Sequence, residues 1–375
     1  MKQIKICIAG LGNVGSALIE SIEENNEYFK TKNSLDIKIL GISAKSKTKS
    51  RKININNYEW FDDPLDMVKI KDCDIVVELI GEEKGISYEL INLALLNQKH
   101  VVTGNKALIA NHGNDLFKLA ETKSLALMFE AAVAGGIPSI KTIKNNITLN
   151  KINKISGILN GTTNYILSEM ENSNETFDKV LKKAQSLGYA EPGNPKLDLN
   201  GFDAFAKVRI LSALAFNNRI SKHNCIMEGI ENIKLKDIKI ANQLNLRIKL
   251  LGISEMINNQ LFETVHPCLV SKNSYIGNVA GVMNAIIIHG KPVGESILQG
   301  EGAGPGPTSS SLLADLFSIL RGNIKYPFGI SSKKRKSVRP FNNDNYTNSL
   351  YLRFEVNDKQ GVLSLITNRL AKYKI

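Results

Sequence analysis

A glycine-rich segment near the amino terminus has the spacing of a dinucleotide-binding loop. Gly10-Leu-Gly12-Asn-Val-Gly15 matches G-x-G-x-x-G, with a β-rich run directly before it and a helical stretch directly after it. The first glycine permits a tight turn, the second lets backbone approach a pyrophosphate, and the third allows close helix–strand packing. The free N–H groups of the helix N-terminus then face the phosphates. We therefore expect a bound dinucleotide rather than a chance glycine turn.

The end of the second predicted strand indicates which dinucleotide is preferred. An NAD site normally places Asp or Glu there, to bind the ribose 2′-hydroxyl. Here the strand ends at Ala44 without an acid, and four cations follow it: Lys45, Lys47, Lys49 and Arg51. These cations favour NADP, through its 2′-phosphate, over NAD. The alternative is that they form an ordinary solvated loop.

Cysteine and histidine spacing indicates neither a structural metal nor a disulfide framework. No C-x-x-C or H-E-x-x-H pattern occurs, and the 4 cysteines lie far apart: Cys7, Cys73, Cys225 and Cys268.

The net charge of +12 comes mostly from scattered lysine, since the 48 basic residues comprise 39 lysines and 9 arginines. The one dense run, 333–336, is typical of a solvated linker. We expect no nucleic-acid partner.

The chain has the composition of a folded, non-membrane protein. Its 375 residues are 43% apolar, which excludes a largely disordered chain. No apolar run approaches the roughly 20 residues that span a bilayer. The amino terminus enters a strand pattern at once, without the features of a signal peptide. We therefore expect a cytoplasmic protein with no membrane partner.

Strands and helices alternate over 1–135, which indicates an α/β domain with a parallel sheet of the Rossmann, doubly wound type. Strands are predicted at 4–9, 37–42, 74–80, 100–103 and 125–129, and helices at 13–24 and 88–97. From 136 to 321 the two element types are grouped, which favours an α+β domain. Its predicted helices are 137–145, 162–171, 175–187, 200–216 and 308–321; its strands are 151–158, 226–230, 261–270 and 283–288.

The remaining residues predict a linker and an incomplete third domain. Residues 322–348 are polar, basic and proline-containing, as in a linker. An alternating strand at 350–356 and a helix at 362–372 follow, within a segment 349–375. One strand and one helix cannot close a core. We therefore expect the chain to be shorter than its gene product.

Three longer stretches are too specific for a generic dinucleotide-binding domain: Val-Val-Thr-Gly-Asn-Lys-Ala-Leu-Ile-Ala (101–110), Glu-Ala-Ala-Val-Ala-Gly-Gly-Ile-Pro (130–138) and Gly-Ile-Leu-Asn-Gly-Thr-Thr-Asn-Tyr (157–165). With the glycine loop, they resemble homoserine dehydrogenase, and the segments 188–207 and 302–308 agree in order. The resemblance covers residues 4–321. It implies NAD(P)H-dependent reduction of L-aspartate 4-semialdehyde to L-homoserine, in threonine, methionine and isoleucine biosynthesis. It also implies a homodimer that pairs through the sheet of the middle domain.

The resemblance assigns roles to four side chains. Aldehyde reduction needs a hydride at carbon and a proton at the developing alkoxide. Lys106 and Lys207 match the two active-site lysines, with Lys207 as proton donor. A lysine suits this role when burial or a neighbouring cation lowers its pKa. Glu191 matches the carboxylate that binds the substrate ammonium, in a loop one residue longer than usual. Asp203 also matches a substrate contact; four residues before Lys207, it would otherwise be an exposed helical ion pair.

The resemblance also implies cofactor and ion sites, and a packing role for the segment 302–321 against the dinucleotide domain. Cofactor contacts are expected at Gly10, Gly12, Asn13, Val14, Gly15, Ala44, Lys45, Gly81, Lys106, Gly188 and Gly302. Hard oxygen ligands suit a sodium ion, here mainly backbone carbonyls, and the matching positions are Glu130, Val133, Gly135 and Ile137. Thr308 is the expected N-cap of the last helix of this region.

The carboxyl-terminal segment resembles the opening of an ACT domain, a regulatory module that can mediate threonine feedback. About one third of such a domain is present, so we do not expect feedback inhibition. Two alternatives to a homoserine dehydrogenase remain: a related dehydrogenase acting on another small amino-acid aldehyde, and a catalytically silent ligand sensor. The intact lysines and substrate motif argue against the sensor.

Overall fold

The computed structural model describes residues 2–223 and 225–373. It divides the chain between Phe341 and Asn342 into two compact units. The domain boundaries at 135 and 321 predicted from the sequence fall inside the first unit and stay predictions, as does the boundary at 348. Among the described residues, no helix has both the length and the apolar character required to cross a membrane.

The first sheet of the larger unit is parallel and has six strands in the order β3-β2-β1-β4-β5-β6. This order is the doubly wound arrangement of dinucleotide-binding folds, which confirms the predicted fold class. The strands are β1 (Lys2–Ala9), β2 (Leu35–Ser43), β3 (Glu59–Phe61), β4 (Ile75–Glu78), β5 (His100–Thr103) and β6 (Leu127–Met128). The helices are α1 (Asn13–Asn33), α2 (Ile86–Leu96) and α3 (Lys106–Lys123).

Both faces of this sheet are buried, as its apolar strands require. In β1, Ile6 and Ile8 lie in one apolar cluster, whereas Cys7 and Ala9 lie in the cluster on the opposite face. The strand order reverses between β1 and β4. Ligands of such sheets bind in the crevice at the carboxyl ends of these strands.

The second sheet has the order β12-β11-β7-β9-β10-β8 and is antiparallel except for the β8–β10 pair. Its strands are β7 (Lys151–Ile158), β8 (Ile226–Met227), β9 (Leu246–Ile257), β10 (Gln260–Ser271), β11 (Met283–Lys291) and β12 (Gly294–Glu301). The helices are α4 (Ser139–Lys141), extended by a π-helical turn (Thr142–Asn146), α5 (Gly161–Ser173), α6 (Phe177–Ser186), α7 (Lys196–Leu199), α8 (Phe202–Ala215), α9 (Leu235–Gln243) and α10 (Tyr275–Asn278).

Helix α11 (Pro305–Leu320) returns from the second sheet to the first. Leu312 and Leu316 are fully buried, in the same apolar cluster as Leu18 of α1. The predicted N-cap at Thr308 is wrong, because the helix begins three residues earlier and the Thr308 N–H already donates to the Gly304 carbonyl at 3.1 Å. A proline is tolerated in the first helical turn, where its missing N–H is not needed.

Residues 322–341 are an ordered part of the larger unit. Arg335 is 3% exposed, and its guanidinium lies 4.0 Å from the Phe328 ring centre and donates to the Asn218 carbonyl at 2.8 Å. The expectation that the whole basic run 333–336 is solvated is therefore wrong for Arg335. The Leu261 N–H donates to the Arg339 carbonyl at 2.9 Å, which ties this segment to β10.

The smaller unit contains α12 (Val362–Lys372), which has the predicted bounds. The strand predicted at 350–356 is wrong: within the described chain, these residues pair with no other strand. A strand needs partners to satisfy its backbone groups, and the described residues 342–373 contain no other strand.

Candidate active site

Two lysines and one aspartate form a compact cluster, here named the Lys–Asp–Lys cluster. Asp203 and Lys207 lie one turn apart on α8, and the Lys207 Nζ donates to the Asp203 Oδ2 at 2.8 Å. Lys106 approaches the other oxygen, with its Nζ 3.0 Å from Oδ1. Each carboxylate oxygen of Asp203 therefore binds one lysine. The structure thus brings Lys106 to a pair of residues that lie about 100 positions later in the sequence.

Both sheets contribute to this cluster. Lys106 is the first residue of α3 and lies just beyond the carboxyl end of β5. Asn105 caps this helix, since its Oδ1 accepts from the Leu108 N–H at 3.1 Å, and its Nδ2 donates to the Glu82 carbonyl at 2.7 Å. Lys207 is anchored on the other side, because its Nζ also donates to the Leu159 carbonyl, just after β7, at 2.7 Å.

The charges of the cluster stabilise one another. Burial by itself would raise the pKa of Asp203, but the charges of Lys207 and Lys106 outweigh it and hold this pKa well below its ordinary value. The charge of Asp203 in turn raises the pKa of Lys106 above its ordinary value. The Asp203 carboxylate therefore compensates the charge of Lys106 and favours its ammonium form.

Two residues of the same network were not predicted as site residues. The Asn160 Nδ2 donates to the Asp198 Oδ1 at 2.8 Å and to the Asp203 Oδ2 at 2.9 Å. Burial, followed by the charge of Asp203, raises the pKa of Asp198 above its ordinary value. The sequence signals for Asn160 are its place in the 157–165 motif and the preference for Asn as the cap of a helix such as α5.

Glu191 and Gly188 lie in the exposed loop after α6. The charge of Asp203 is the main cause of the raised pKa of Lys106, and the charge of Glu191 adds to it. Gly188 has a φ of +76°, a left-handed conformation that glycine adopts without strain. The loop is fastened to α5 by the Thr162 hydroxyl, which donates to the Tyr189 carbonyl at 2.5 Å.

The glycine loop has the geometry that its spacing predicts. A Cβ at Gly15 would lie 1.9 Å from the Gly10 carbonyl oxygen, so only glycine allows α1 to approach β1 this closely. A Cβ at Gly12 would meet nothing within 4 Å, which leaves open space on the side where a phosphate approaches. Asn13 and Val14 begin α1, so their N–H groups belong to its free first turn.

A cavity of about 340 Å³ opens beside this loop, and Gly12, Ala44 and Lys45 all line it. The Lys45 Nζ lies 3.0 Å from the Glu82 Oε1. Arg51 also lines the cavity, and its Nε donates to the Leu11 carbonyl at 3.2 Å. The structure therefore places three of the four predicted cations, Lys45, Lys49 and Arg51, beside the predicted phosphate loop, whereas the Lys47 Nζ lies 5.8 Å from the Trp60 ring centre.

Gly81 follows a buried carboxylate that the sequence did not single out. Glu78 ends β4, is fully buried, and accepts from the Ile80 N–H at 2.9 Å and the Gly81 N–H at 3.2 Å. Its other oxygen accepts from the Thr103 hydroxyl at 2.6 Å. Glu78 therefore fixes the two loops that leave β4 and β5.

The predicted ion loop lies against Gly302. A Cβ at Gly135 would lie 2.7 Å from the Gly302 backbone, and a Cβ at Gly302 would overlap the Asn284 side chain at 1.9 Å. The carbonyl oxygens of the predicted ligands each accept one hydrogen bond: Glu130 from Val133 N (3.3 Å), Val133 from Ser139 Oγ (3.4 Å), Gly135 from Ser311 Oγ (2.6 Å) and Ile137 from Ser139 N (2.7 Å). Because a carbonyl has two lone pairs, each keeps acceptor capacity for a cation.

Comparison with known proteins identifies the family. Residues 10–130 match the family model described as homoserine dehydrogenase, NAD binding domain, and residues 138–317 match the homoserine dehydrogenase model. The homoserine dehydrogenase of Neisseria gonorrhoeae is 39% identical over 100% of this chain and 87% of its own length. That of Pseudomonas aeruginosa is 38% identical over 99% of this chain and 86% of its own length.

Comparison with solved structures leads to the same family. The crystal structure of a homoserine dehydrogenase from Thiobacillus denitrificans superposes with a TM-score of 0.85 at 37% identity, over 99% of this chain and 86% of that one. A hyperthermophilic archaeal homoserine dehydrogenase in complex with NADPH has a TM-score of 0.73 at 26% identity, over 86% of this chain and 98% of that one. This chain belongs to the homoserine dehydrogenase family of oxidoreductases.

Proposed function

We propose that the chain reduces L-aspartate 4-semialdehyde to L-homoserine with NADPH, and that the Lys–Asp–Lys cluster receives the aldehyde. The observation that carries this proposal is that one buried carboxylate, Asp203, holds both lysines, with Nζ–O distances of 2.8 and 3.0 Å. A bound nicotinamide supplies the hydride. The protein must then place cationic N–H groups at the oxygen that becomes an alkoxide.

Lys207 is the proposed proton donor. It is 7% exposed, and two of the three N–H groups of an ammonium are directed at protein acceptors, the Asp203 carboxylate and the Leu159 carbonyl. The third N–H is available to the carbonyl oxygen of the substrate. Donation of its proton completes the alcohol, and Asp203 balances the ammonium charge before that step.

Lys106 supplies the second positive charge. Its side chain is 43% exposed, so it reaches the site from the open side, whereas Lys207 comes from the buried side. A cation near the developing alkoxide stabilises the transition state more than the neutral aldehyde, which accelerates hydride transfer. Glu191 is the proposed partner of the substrate ammonium, because it is an exposed carboxylate whose charge acts on Lys106 of the cluster.

NADP is the proposed cofactor, with NAD as the alternative. Lys45, Lys49 and Arg51 line the cavity next to the glycine loop, where the 2′-phosphate of NADP would add two negative charges. Asp62 lines the same cavity and is the one feature there that favours a ribose hydroxyl, as in NAD. Measured kcat/KM values for NADPH and NADH decide between them, and a clear preference for NADH would contradict the proposal.

A sodium ion and a homodimer are also proposed. The four carbonyls of the 130–137 loop keep acceptor capacity for a hard cation, and activity with and without Na⁺ at constant ionic strength tests this site.

For the dimer, one face of the second sheet carries the half-buried apolar side chains of Ile253, Met283 and Ile287. Light scattering after size-exclusion chromatography measures the mass in solution. Location in the cytoplasm stays a prediction.

The substrate is tested by the loss of NADPH absorbance with L-aspartate 4-semialdehyde and with other small aldehydes. We expect the highest kcat/KM with the semialdehyde. A Glu191→Gln variant should lower this advantage, because the ammonium loses its charged partner. Higher kcat/KM with another amino-acid aldehyde would favour the related-dehydrogenase alternative, and no turnover with any aldehyde would favour the ligand sensor.

A further inference from the structure

The neutral side chain of Asn160 joins both aspartates of the site. Its Nδ2 donates to the Asp198 Oδ1 at 2.8 Å and to the Asp203 Oδ2 at 2.9 Å. The residue is 6% exposed, so water does not substitute for these bonds. An amide nitrogen has two N–H donors, and both are used on carboxylates.

The orientation of this amide is fixed by the helix that follows it. The Asn160 Oδ1 accepts from the Thr163 N–H at 2.9 Å, as the N-cap of α5. With its oxygen bound to the helix, the nitrogen must face the aspartates. The next residue, Gly161, packs closely against the residue before β11, since a Cβ there would lie 2.6 Å from the Val282 carbonyl oxygen.

The two aspartates need such a bridge. Both are largely withdrawn from water, and the charge of Asp203 disfavours ionisation of Asp198. Like charges side by side would push the carboxylates apart, and any displacement of Asp203 moves the oxygens that hold Lys207 and Lys106. A single donor group bonded to both carboxylates keeps Asp203 in its place between the lysines.

We propose that Asn160 is a positioning residue for the reaction: its amide holds Asp198 beside Asp203, and so sets where Asp203 holds the two lysines. This role rests on the proposed function of the Lys–Asp–Lys cluster. It is separate from the capping of α5, which the same side chain performs with its other end. The two roles predict different behaviour for substitutions that preserve a cap.

Asn160→Asp and Asn160→Ser separate the two roles. Asp, Ser and Asn are about equally good N-caps, so both variants keep α5. Asp replaces the N–H donors with an oxygen of a carboxylate, the third at this site, and Ser is too short to reach the aspartates. Since a misplacement of about 1 Å can cost about 10²-fold in rate, we expect kcat to fall about 10- to 100-fold in both. The KM for NADPH should remain at the wild-type value.

The pH profile gives a second readout that a purely structural role would not move. In Asn160→Asp, Asp203 loses a donor and gains a negative neighbour, so its ionisation requires a higher pH. The acid limb of the kcat/KM profile should therefore move to higher pH than in Asn160→Ser. Ser274→Ala, which removes the side-chain cap of α10, is the control for the loss of a cap and should keep wild-type kcat.

Melting temperatures measured by circular dichroism show which variants are folded. Asn160→Gly, which an N-cap position also tolerates, replaces either variant that does not fold. Wild-type kcat in any folded Asn160 variant would overturn the positioning role. Wild-type protein that fails to reduce aspartate semialdehyde would instead overturn the proposed function, so the two failures are distinguishable.

Discussion

Replacing Asp203 with asparagine isolates the charge at the centre of the site. The substitution keeps the shape of the side chain but removes the negative charge shared by two lysines. Lys207 is 9% exposed in its side chain, whereas Lys106 is 43% exposed. Loss of one partner of a buried ion pair costs about 3–5 kcal/mol, whereas an exposed pair contributes about 0–1 kcal/mol. We therefore expect Asp203→Asn to lower the free energy of unfolding by about 3–5 kcal/mol at pH 7, mostly through Lys207.

The pH dependence of this loss has a defined sign. The pKa of Asp203 is lowered by folding, so its contribution to stability is fully present above the unfolded pKa of about 3.9. It is lost as the pH falls from there towards the lower folded pKa. The difference in unfolding free energy between wild type and Asp203→Asn should therefore be constant from about pH 5 to 7 and shrink below about pH 4. Urea unfolding at several pH values measures this difference.

The same variant should lose about 10²-fold or more in kcat, because both lysines lose the group that orients them. Asp198→Asn is the matched control: this half-buried carboxylate shares the Asn160 amide, but its ionised form is already disfavoured. We expect it to change stability by less than about 1 kcal/mol. Equal unfolding free energies for wild type and Asp203→Asn, or an unchanged kcat, would refute this reasoning.

Three further predictions concern the cofactor loop and the segment 322–341. Gly15→Ala should destabilise the fold, because its Cβ would lie 1.9 Å from a backbone oxygen, whereas Gly12→Ala should keep the melting temperature and raise the KM for NADPH. Lys45→Ala should lower kcat/KM for NADPH about tenfold relative to NADH, about the value of one charged hydrogen bond. Arg335→Ala should lower the unfolding free energy by about 2–4 kcal/mol, through a lost charged hydrogen bond and cation–π contact, whereas the exposed Lys334→Ala stays within about 0.5 kcal/mol.

Each of these has an outcome that contradicts it. Equal melting temperatures for the two glycine variants would show that α1 does not need its close approach to β1. A Lys45 variant that loses NADPH and NADH activity equally would place the lysine away from the 2′-phosphate. Similar stability of the Arg335 and Lys334 variants would contradict the buried guanidinium.

The first sheet was predictable because its strands carry the signal of burial on both faces. β5 has the predicted bounds, and β1 and β2 differ from them by two residues or fewer at each end. The helix α3 was not predicted, since Asn-His-Gly-Asn at 111–114 has low helix propensity, and packing against neighbouring helices overrides it. β9 was missed because it contains buried Lys249, whose Nζ is satisfied by the Val279 carbonyl at 2.6 Å, a contact with no local sequence signal.

The residues of the site also fall into those that the sequence predicted and those that it missed. Lys106, Asp203 and Lys207 were predicted through motifs. The spacing of Asp203 and Lys207 on α8 also predicted that these two lie together, whereas no local pattern linked Lys106 to them. Asn160 and Asp198 were missed because their role arises from contacts between Asn160 and two aspartates that lie about 40 residues later in the chain. These contacts depend on how α5, α7 and α8 pack on the second sheet. Hydrophobic periodicity predicts the elements but not this packing.

The central claim is that Lys207 donates the proton, and substitutions that separate its charge from its acidity test it most directly. Lys207→Arg keeps a positive charge but cannot release a proton near neutral pH, and Lys207→Ala removes both. With L-aspartate 4-semialdehyde and saturating NADPH, we expect kcat to fall about 10²- to 10⁴-fold in both variants, with NADPH affinity unchanged. Wild-type kcat in Lys207→Ala would contradict the claim, and wild-type kcat in Lys207→Arg alone would show that only the charge of this residue is needed.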